Sequence, residues 1–372
     1  MENSQLIIGV DAGGTKTKAW LARVPSWQRA NSSEPSASSP LAEQVQVIGH
    51  GSAGAGNLRA IGFEAATDNI KRAIEAAYSS AKCERYPAAA VCMGVAGAGR
   101  VDEQKRLEQW CLNSQIARRA QVTGDALPVL AAAYAQRPLH ELAQMSGIAL
   151  ICGTGSMAWG CCAREPGPGD EHSPGVKQAR AGGWGYLLGD EGSGYWIALQ
   201  GLRAACRSVD GRGPATHLLP ALLHRLELTD PAQLIGVIYD PQFDRRRIAS
   251  LAEVVVELAE RPNPAADNPA ADSPAADNPA ADSQAVDILD RAAAELCQLV
   301  LAVDAQLGLG AEPVTLAATG GVLLGSSSLR QRLQQRLQQH PRAINFAPIE
   351  DPVQGAVYLA AGLAGGVTVS HR

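Results

Sequence analysis

The sequence lacks three features, and each absence excludes a class of protein. No apolar run approaches the about 18 residues that a transmembrane helix requires. Basic residues are not in excess, since 32 Lys and Arg stand against 37 Asp and Glu, and the net charge of -5 argues against nucleic acid or an anionic membrane as partner. No Cys-x-x-Cys pair occurs, so the sequence suggests neither a zinc site nor a disulfide framework. The expected partner is therefore a small molecule.

Cysteine itself is present at eight positions: 83, 92, 111, 152, 161, 162, 206 and 297. The first six residues, MENSQL, are polar and do not resemble a signal peptide. We therefore expect a cytoplasmic protein with reduced thiols. The adjacent Cys161 and Cys162 are interpreted as ordinary thiols rather than as a redox-active pair.

The length of 372 residues is too great for one ordinary core and predicts two domains with a cleft between them. We place them at residues 1–124 and 125–372, with the last helix able to pack back on the first domain. A Ser/Pro-rich segment at 25–42 predicts a flexible insert. A second insert, 262–285, contains four copies of a five-residue unit that is too poor in bulky apolar residues to make a core, and is interpreted as an exposed, disordered loop.

Hydrophobic spacing predicts the main helices. In residues 64–82 the apolar positions recur at i, i+3, i+4 and i+7, which indicates a helix with one buried stripe: Ile70, Ala73, Ile74 and Ala77. Further helices are predicted at 196–209, 248–260 and 285–307. Buried strands are predicted around AAAVCMGV, GIALIC and SMAWGCC.

The first motif, IIGVDAGGTKTKAW at residues 7–20, poses the question of which phosphate loop it forms. A Walker loop needs a lysine directly after its last glycine, whereas Gly14 is followed by Thr15. The next residues, KTKAWLARV, alternate in polarity as a strand does. Gly13 and Gly14 permit backbone conformations that point N–H groups at an anion, and threonine hydroxyls add donors. The motif predicts a strand, a phosphate-binding glycine turn and a second strand, not a P-loop NTPase.

A second strand, turn and strand are predicted around CGTGSM at residues 152–157. Two such loops in one chain are able to hold one polyphosphate between them. Further along, the strand PVTLAAT runs into Gly320 and Gly321 and then into a helix capped by a serine. That order suits a nucleotide placed against the turn.

Two aspartates are the candidate reactive groups. Asp11 lies within an apolar strand, where a carboxylate needs a partner, and a hydrated magnesium ion that also contacts phosphate is the natural one. Asp125 is predicted between a strand end and a helix start, where a carboxylate can project into a cleft. Phosphoryl transfer requires positioning, charge neutralisation and a base, which these groups together supply. Each also has a structural interpretation, Asp11 as a turn former and Asp125 as a helix N-cap.

The order of six motifs resembles the actin, sugar kinase and heat-shock ATPase superfamily: GVDAGGTKT, CMGVAGAG, VTGDA, ICGTGS, GGWGYLLGDEGSGYWIALQ and LAATGGVLLGS. Within it, the chain is similar to the BadF/BadG/BcrA/BcrD ATPase group that includes N-acetylglucosamine kinase. The resemblance implies an α/β fold of two ribonuclease-H-like lobes, with mixed sheets flanked by helices, closing on ATP, Mg²⁺ and a sugar. It also implies a possible homodimer, because relatives pair.

The resemblance also implies roles for single residues. Asp125 matches the catalytic base that takes the proton from the sugar 6-hydroxyl. The first phosphate loop is matched by Asp11, which holds magnesium through water, and by Gly13, Gly14, Thr15 and Thr17. The second is matched by Gly153, Thr154, Gly155 and Ser156, and the adenosine turn by Gly320 and Gly321. The sugar positions are matched by Asn57, Gly183, Trp184, Gly185 and Asp190.

The expected function is the transfer of the γ-phosphate of ATP to the 6-hydroxyl of N-acetylglucosamine, with glucosamine and N-acetylmuramic acid as alternative acceptors. A second alternative is an ATPase that activates a CoA-ester dehydratase or reductase through a bridging [4Fe–4S] cluster, which needs cysteine ligands from each subunit. A third is a sugar-sensing protein without catalysis. For Asp190, the alternative to sugar contact is an N-cap of the helix that follows.

Overall fold

A computed structural model describes most of the chain: residues 4–26, 39–84, 87–163, 176–261, 281–310 and 312–367. Two five-stranded mixed sheets form its framework. The predicted α/β fold is confirmed, and helices flank both sheets.

The first sheet has the strand order β3-β2-β1-β4-β5. Its strands are β1 Ser4–Ala12, β2 Thr17–Pro25, β3 Gln46–Ala53, β4 Ala90–Val95 and β5 Ala120–Thr123. The strands β1, β2 and β3 form an antiparallel meander, whereas β4 pairs with β1 in parallel and β5 pairs with β4 in parallel. The predicted strand, glycine turn and strand around residues 7–20 is thus the β1-β2 hairpin.

The second sheet has the order β10-β9-β6-β7-β8. Its strands are β6 Gly147–Cys152, β7 Ser156–Ala163, β8 Val176–Gly182, β9 Val314–Thr319 and β10 Ile344–Pro348. Again three strands form an antiparallel meander and two are added in parallel. The second sheet therefore repeats the strand order and strand directions of the first.

The helices of the described residues fall mainly in the second half of the chain, as the hydrophobic spacing predicted. They are α1 Leu41–Gln44, α2 Leu58–Ile61, α3 Phe63–Ser80, α4 Val101–Asn113, α5 Ala126–Ala132, α6 Gly194–Val209, α7 Leu218–Arg225, α8 Gln233–Ile238, α9 Arg245–Ser250, α10 Ala252–Ala259, α11 Ser283–Leu307, α12 Gly321–Gly325, α13 Ser327–Leu337 and α14 Pro352–Gly365, with a 3-10 helix at Leu139–Gln144. The predicted stripe of α3 is buried, and α3 packs against β2 and β3.

Two helices, α5 and α14, lie between the sheets. One buried cluster combines residues of the first sheet, both of these helices and the second sheet, among them Ile7, Leu130, Val357, Ala149 and Ala317. The helices touch so closely that a Cβ at Gly355 would overlap the Pro128 carbonyl oxygen. The helix α14 also packs against β1 and β4. The limits of the two domains, at residues 124 and 125, stay a prediction.

The two predicted inserts differ from the structure at their edges. Residues 39–42 are not a free loop, because Leu41 is buried and begins α1, and its N–H donates to the Arg137 carbonyl. Residues 283–285 begin α11, which the Asp282 side chain caps. Pro25, the first residue of the predicted insert, still belongs to β2, and residues 27–38 and 262–280 of the two inserts lie outside the described residues. One predicted helix, 248–260, is two helices, α9 and α10, which meet at Leu251.

Candidate active site

The β1-β2 hairpin holds Asp11 and the first predicted phosphate turn. The turn is closed by the Gly13 N–H, which donates to the Lys16 carbonyl at 3.0 Å. A side chain at Gly14 would meet no neighbour, so this part of the turn borders open space, and Thr15 is exposed. Thr17 differs, because its hydroxyl is fully buried and finds no hydrogen-bond partner among the described residues.

Asp11 and Lys18 are directly opposite each other on β1 and β2. Lys18 forms an ion pair with Asp351, the N-cap residue of α14. Asp11 is only partly exposed, and burial, together with the nearby carboxylates of Asp125 and Asp351, raises its pKa to about 7, although Lys18 and Lys16 lower it. Three carboxylates and two ammonium groups therefore surround the end of β1.

Asp125 follows β5 directly and occupies the N-cap position of α5. Its pKa is raised by burial, and the backbone N–H groups of Asp125 and Ala126 oppose that effect. Among the described residues, no side-chain cation forms an ion pair with this carboxylate. Its position between strand and helix is as predicted, and the N-cap interpretation fits its place in the chain, yet its carboxylate makes no capping hydrogen bond.

The arrangement around Asp11 fits a hydrated magnesium ion. Within the described ranges, no group of three or more His, Cys, Asp and Glu side chains forms a metal cage. Mg²⁺ does not need one, because it is usually held by one or two carboxylates together with water and phosphate oxygens. The mutual repulsion of Asp11 and Asp125, visible in the raised pKa of Asp11, is what a divalent cation would relieve.

Backbone hydrogen bonds bring Asn57 to the same edge of the first sheet. The Gly56 N–H donates to the Gly13 carbonyl at 2.9 Å, and the Leu58 N–H donates to the Ala96 carbonyl at 3.1 Å. The Asn57 side-chain oxygen caps α2, accepting from the N–H groups of Arg59 and Ala60 at 3.0 and 3.2 Å. The cap uses only the amide oxygen, so the two N–H donors of the Asn57 side chain are not part of it.

The β6-β7 hairpin carries the second predicted phosphate turn. The Gly153 N–H donates to the Gly155 carbonyl at 3.0 Å and closes the turn. The start of α6 packs on it, because the Gly194 and Tyr195 N–H groups donate to the carbonyls of Gly153 and Thr154 at 2.8 and 3.3 Å. The turn thus lies against the N-terminus of a 16-residue helix.

Asp190 contacts this second turn. It is 4% exposed, and its carboxylate accepts from the Ser156 N–H at 3.2 Å and lies 3.8 Å from the Arg245 guanidinium. Its φ of +62° is rare for a residue with a side chain, which marks a position held by its surroundings. The alternative N-cap interpretation is wrong, because Ser193 caps α6 and accepts from the Trp196 N–H at 3.2 Å. Sugar contact by Asp190 stays a prediction.

The segment from Gly183 to Asp190 protrudes from the second lobe. The side chain of Trp184 is 66% exposed, and the Arg180 guanidinium lies 4.8 Å from the centre of its indole ring. Leu187 and Leu188 are about four-fifths exposed. One end of the segment is tied to the second turn, since the Gly183 N–H donates to the Ser156 carbonyl at 3.0 Å. Gly183 is therefore a neighbour of Ser156, and Trp184 and Gly185 follow it in the chain.

The predicted adenosine turn adjoins the same hairpin. A Cβ at Gly320, which has a φ of +112°, would overlap the backbone of Cys152 at the end of β6. Gly321 begins α12, and a side chain there would meet nothing. The carboxyl ends of the parallel strands β6 and β9 therefore carry Gly153 and Gly320 side by side, where ligands commonly bind in α/β sheets.

The contacts gather the predicted residues into two groups. Asp11, Gly13, Asn57 and Asp125 lie at the edge of the first sheet, whereas the second turn, Asp190, Trp184 and Gly320 lie at the edge of the second. The sequence did not single out Lys18, Asp351 or Arg245. Lys18 opposes Asp11 across the predicted hairpin, which was a usable signal, but nothing local indicated that Asp351, 333 residues away, would pair with it.

A family model, that of the BadF/BadG/BcrA/BcrD ATPase family, matches residues 8–360. The chain belongs to this family. The match covers both sheets and every predicted site residue. Use of ATP is a property of the family as a whole, and the two glycine hairpins, the first of which carries Asp11, are compatible with it.

Two curated proteins are similar in sequence. An N-acetylmuramic acid/N-acetylglucosamine kinase of Clostridium acetobutylicum is 29% identical over 272 residues, which are 73% of this chain and 76% of that protein. An N-acetyl-D-glucosamine kinase of Dictyostelium discoideum is 26% identical over 364 residues, or 96% of this chain and 98% of that protein.

Two solved structures share the fold. A Chromobacterium violaceum protein provisionally named as an N-acetylglucosamine kinase superimposes with a TM-score of 0.62 at 23% identity, covering 95% of this chain and 98% of its own. A Porphyromonas gingivalis protein with the same provisional name has a TM-score of 0.60 at 18% identity, covering 96% and 99%. The predicted α/β fold, with mixed sheets flanked by helices, is thus shared with both proteins.

The structure also bears on membrane-spanning helices and on the cysteine thiols. In the described part of the chain, no helix is long and apolar enough to cross a membrane. All eight cysteines are free thiols. Burial raises the pKa of Cys161 to about 12, and it also raises the pKa of Cys162, so neither sulfur is an activated thiolate.

Proposed function

We propose that this protein is an amino-sugar kinase that transfers the γ-phosphate of ATP to the 6-hydroxyl of N-acetylglucosamine. The observation that carries the proposal is the Asp125 carboxylate, which stands beside Asp11 at the start of α5 with a raised pKa and no cationic partner. Both curated relatives are named as kinases that act on this sugar or on its lactyl ether.

Asp125 is assigned the role of general base. It accepts the proton of the sugar 6-hydroxyl while that oxygen attacks the γ-phosphorus and ADP leaves. A raised pKa brings the carboxyl closer to the operating pH, where a base is both deprotonated and able to hold a proton. A side chain already tied to a cation would be a weaker proton acceptor, so the lack of such a partner matters.

The two glycine turns are assigned to the phosphates. In the first, Gly14 and Thr15 offer backbone and hydroxyl donors at an open surface, while the Gly13 N–H closes the turn on the Lys16 carbonyl and so sets its shape. In the second, Thr154 and Gly155 are the corresponding donors, because the Gly153 N–H is bonded to the Gly155 carbonyl and the Ser156 N–H to Asp190. Asp11 would hold the hydrated magnesium ion, which when bound neutralises charge on the phosphates.

The sugar is assigned to the surface between Asn57 and the segment Gly183 to Asp190. The Asn57 side chain caps α2 with its oxygen only, so its NH₂ group can donate to a sugar hydroxyl or to the acetamido oxygen. Trp184 offers an exposed aromatic face to the apolar side of the ring. Water exclusion around the 6-hydroxyl would follow from approach of the two lobes.

A coupled assay of ADP release with magnesium and ATP tests the proposal. The acceptors are N-acetylglucosamine, glucosamine, N-acetylmuramic acid and glucose, with a reaction without sugar as the blank. Release that depends on N-acetylglucosamine supports the proposal, and release that depends on another amino sugar replaces the named acceptor. Steady release without any sugar favours the CoA-ester ATPase alternative, and iron analysis of the preparation would then be the deciding measurement.

A further inference from the structure

The junction between α12 and α13 is held by a carboxylate from a different helix. Glu260 ends α10, and one of its side-chain oxygens accepts three hydrogen bonds from consecutive residues. The donors are the Ser326 hydroxyl at 2.8 Å, the Ser327 hydroxyl at 3.3 Å and the Ser328 N–H at 2.8 Å. Ser326 is fully buried and its oxygen in turn accepts from the Leu329 N–H at 3.1 Å, as the N-cap of α13.

The five-residue helix α12 is thereby fixed at both ends. At its start, Gly320 lies so close to Cys152 that no side chain fits between them. At its end, Glu260 holds the three serines, and the Arg330 guanidinium donates to the carbonyl oxygens of Leu323 and Leu324. Between these points α12 rests on β6 and β9, at the carboxyl ends of the parallel strands.

We propose that Glu260 is a positioning residue for the nucleotide. It does not reach the predicted adenosine turn itself, but it sets where the short helix that follows Gly320 lies. A negative charge at the N-terminus of the 11-residue helix α13 is also electrostatically favourable, which explains a carboxylate in this place rather than an amide. This inference rests on the proposed function, because it takes Gly320 and Gly321 to border the nucleotide.

If Glu260 positions the nucleotide, its loss should weaken nucleotide binding and leave sugar binding unchanged. Loss of the carboxylate frees the start of α13 and lets α12 shift against Gly320, so nucleotide contacts weaken. The predicted sugar positions, Asn57 and Trp184, lie on other segments, so the affinity for the sugar remains. A residue that merely supported overall stability would not produce this separation.

The test compares Glu260→Ala, Glu260→Gln and Asp230→Ala with the wild type. Asp230→Ala is the matched control, since this carboxylate accepts from the Ala232 N–H near the start of α8, at 2.8 Å, in the same lobe. Binding of magnesium and ADP is measured by calorimetry, and the KM for ATP, the KM for the sugar and kcat are measured in the coupled assay.

For Glu260→Ala we expect ADP binding and the KM for ATP to worsen by about tenfold, with the KM for the sugar within about twofold of the wild type. Glu260→Gln keeps an acceptor oxygen, so its loss is expected to stay within about threefold. Asp230→Ala is expected to bind ADP as the wild type does.

Equal ADP binding by Glu260→Ala and the wild type would overturn the inference while leaving the kinase proposal in place. An equal loss in Asp230→Ala, or a parallel rise in both KM values, would also overturn it, because either would show a general structural effect. If the wild type binds ADP without sugar-dependent turnover, the kinase proposal fails and the calorimetric comparison still decides the role of Glu260. If the wild type does not bind ADP, both fail.

Discussion

The two halves of the molecule share their strand order and the helix that follows the last strand, but they differ in charge. Each half has five strands in the same order, and after its last strand an aspartate occupies the N-cap position of a helix. These aspartates are Asp125 before α5 and Asp351 before α14. These two helices pack against each other between the sheets. The environments of the two aspartates differ, however: Asp351 is paired with Lys18, whereas Asp125 forms no ion pair with any side chain among the described residues.

The hairpins differ in the same way. In the first, Asp11 faces Lys18 across the strands, whereas Ile151 faces Met157 at the corresponding place in the second. The duplicated scaffold therefore presents carboxylates on one side and backbone groups with hydroxyls on the other. We infer that the first half supplies the base and the metal site, and that the second half supplies the cradle for the nucleotide.

The largest expected effect comes from exchanging the base. Asp125→Asn should lower kcat by about 10³-fold, because the amide cannot accept the proton, while ADP binding measured by calorimetry is retained. The counterpart Asp351→Asn is the control and should lower kcat by less than about tenfold, since this carboxylate is engaged by Lys18. Similar losses in both variants would contradict the assignment of different roles to the two aspartates.

Asp11→Asn should lower kcat/KM by about 10²-fold and stabilise the metal-free protein at neutral pH. The folded protein raises the pKa of this carboxyl from 3.8 to about 7, so folding favours the protonated form and wild-type stability falls as the pH rises through this window. The Asp11→Asn variant has no carboxyl at this position, so its stability does not fall for this reason as the pH rises. Its thermal stability should exceed that of the wild type by a margin that grows from pH 4 to about pH 7 and is then constant.

The Asp11→Asn comparison requires melting curves in buffers without magnesium. A constant difference in melting temperature between the two proteins across this range would contradict the raised pKa. The corresponding position in the second hairpin, Ile151, carries no charge, so Ile151→Val serves as a control whose effect should not depend on pH.

The contact between α5 and α14 predicts a stability effect. Gly355→Ala should lower the free energy of unfolding by about 2 kcal/mol or more, because the added methyl overlaps the Pro128 carbonyl and forces the helices apart. Gly236→Ala is the control in another helix, where a Cβ meets nothing, and it should stabilise by about 0.5–1 kcal/mol. Denaturant titration distinguishes them, and two stabilised variants would show that α5 and α14 are not in tight contact.

The smallest effect is expected from removing the ion pair that distinguishes Asp351 from Asp125. Lys18→Met removes a charge that lowers the pKa of Asp11, so that pKa rises and the acid limb of the kcat/KM profile moves to higher pH. At pH 7 the loss should be about threefold, and it should disappear by pH 9. Arg23→Met, an exposed position on the same strand, should leave the profile unchanged.

The local elements of this fold could be predicted from the sequence, because they depend on local spacing. The buried stripe of α3, the two hairpins and the placement of Asp125 between β5 and α5 are examples. Residues 283–285 and the edge of the first insert were misjudged, since composition alone does not show where a buried Leu41 or a capping Asp282 ends a loop.

The long-range features could not be predicted by the same means. Three contacts join segments that are far apart in the chain. They are the ion pair of Lys18 with Asp351, the hydrogen bond from Ser156 to Asp190, and the hydrogen bonds from three serines to Glu260. Periodicity and capping preferences describe neighbours along the chain, whereas these contacts depend on how the sheets are placed. The strand β8 was absent from the prediction because it has only one buried residue and so no apolar run, and α12 because it is a single turn of five residues.

The position of α14 has a consequence for how the protein is made. Roughly 340 residues separate the end of β1 from the start of the helix that covers it, and at about 5–20 residues per second the ribosome needs on the order of half a minute to bridge them. Until then the face of β1 that α14 covers has no native partner. Newly made chains should therefore depend on protection of the first sheet during synthesis, and fragments that stop before residue 352 should aggregate.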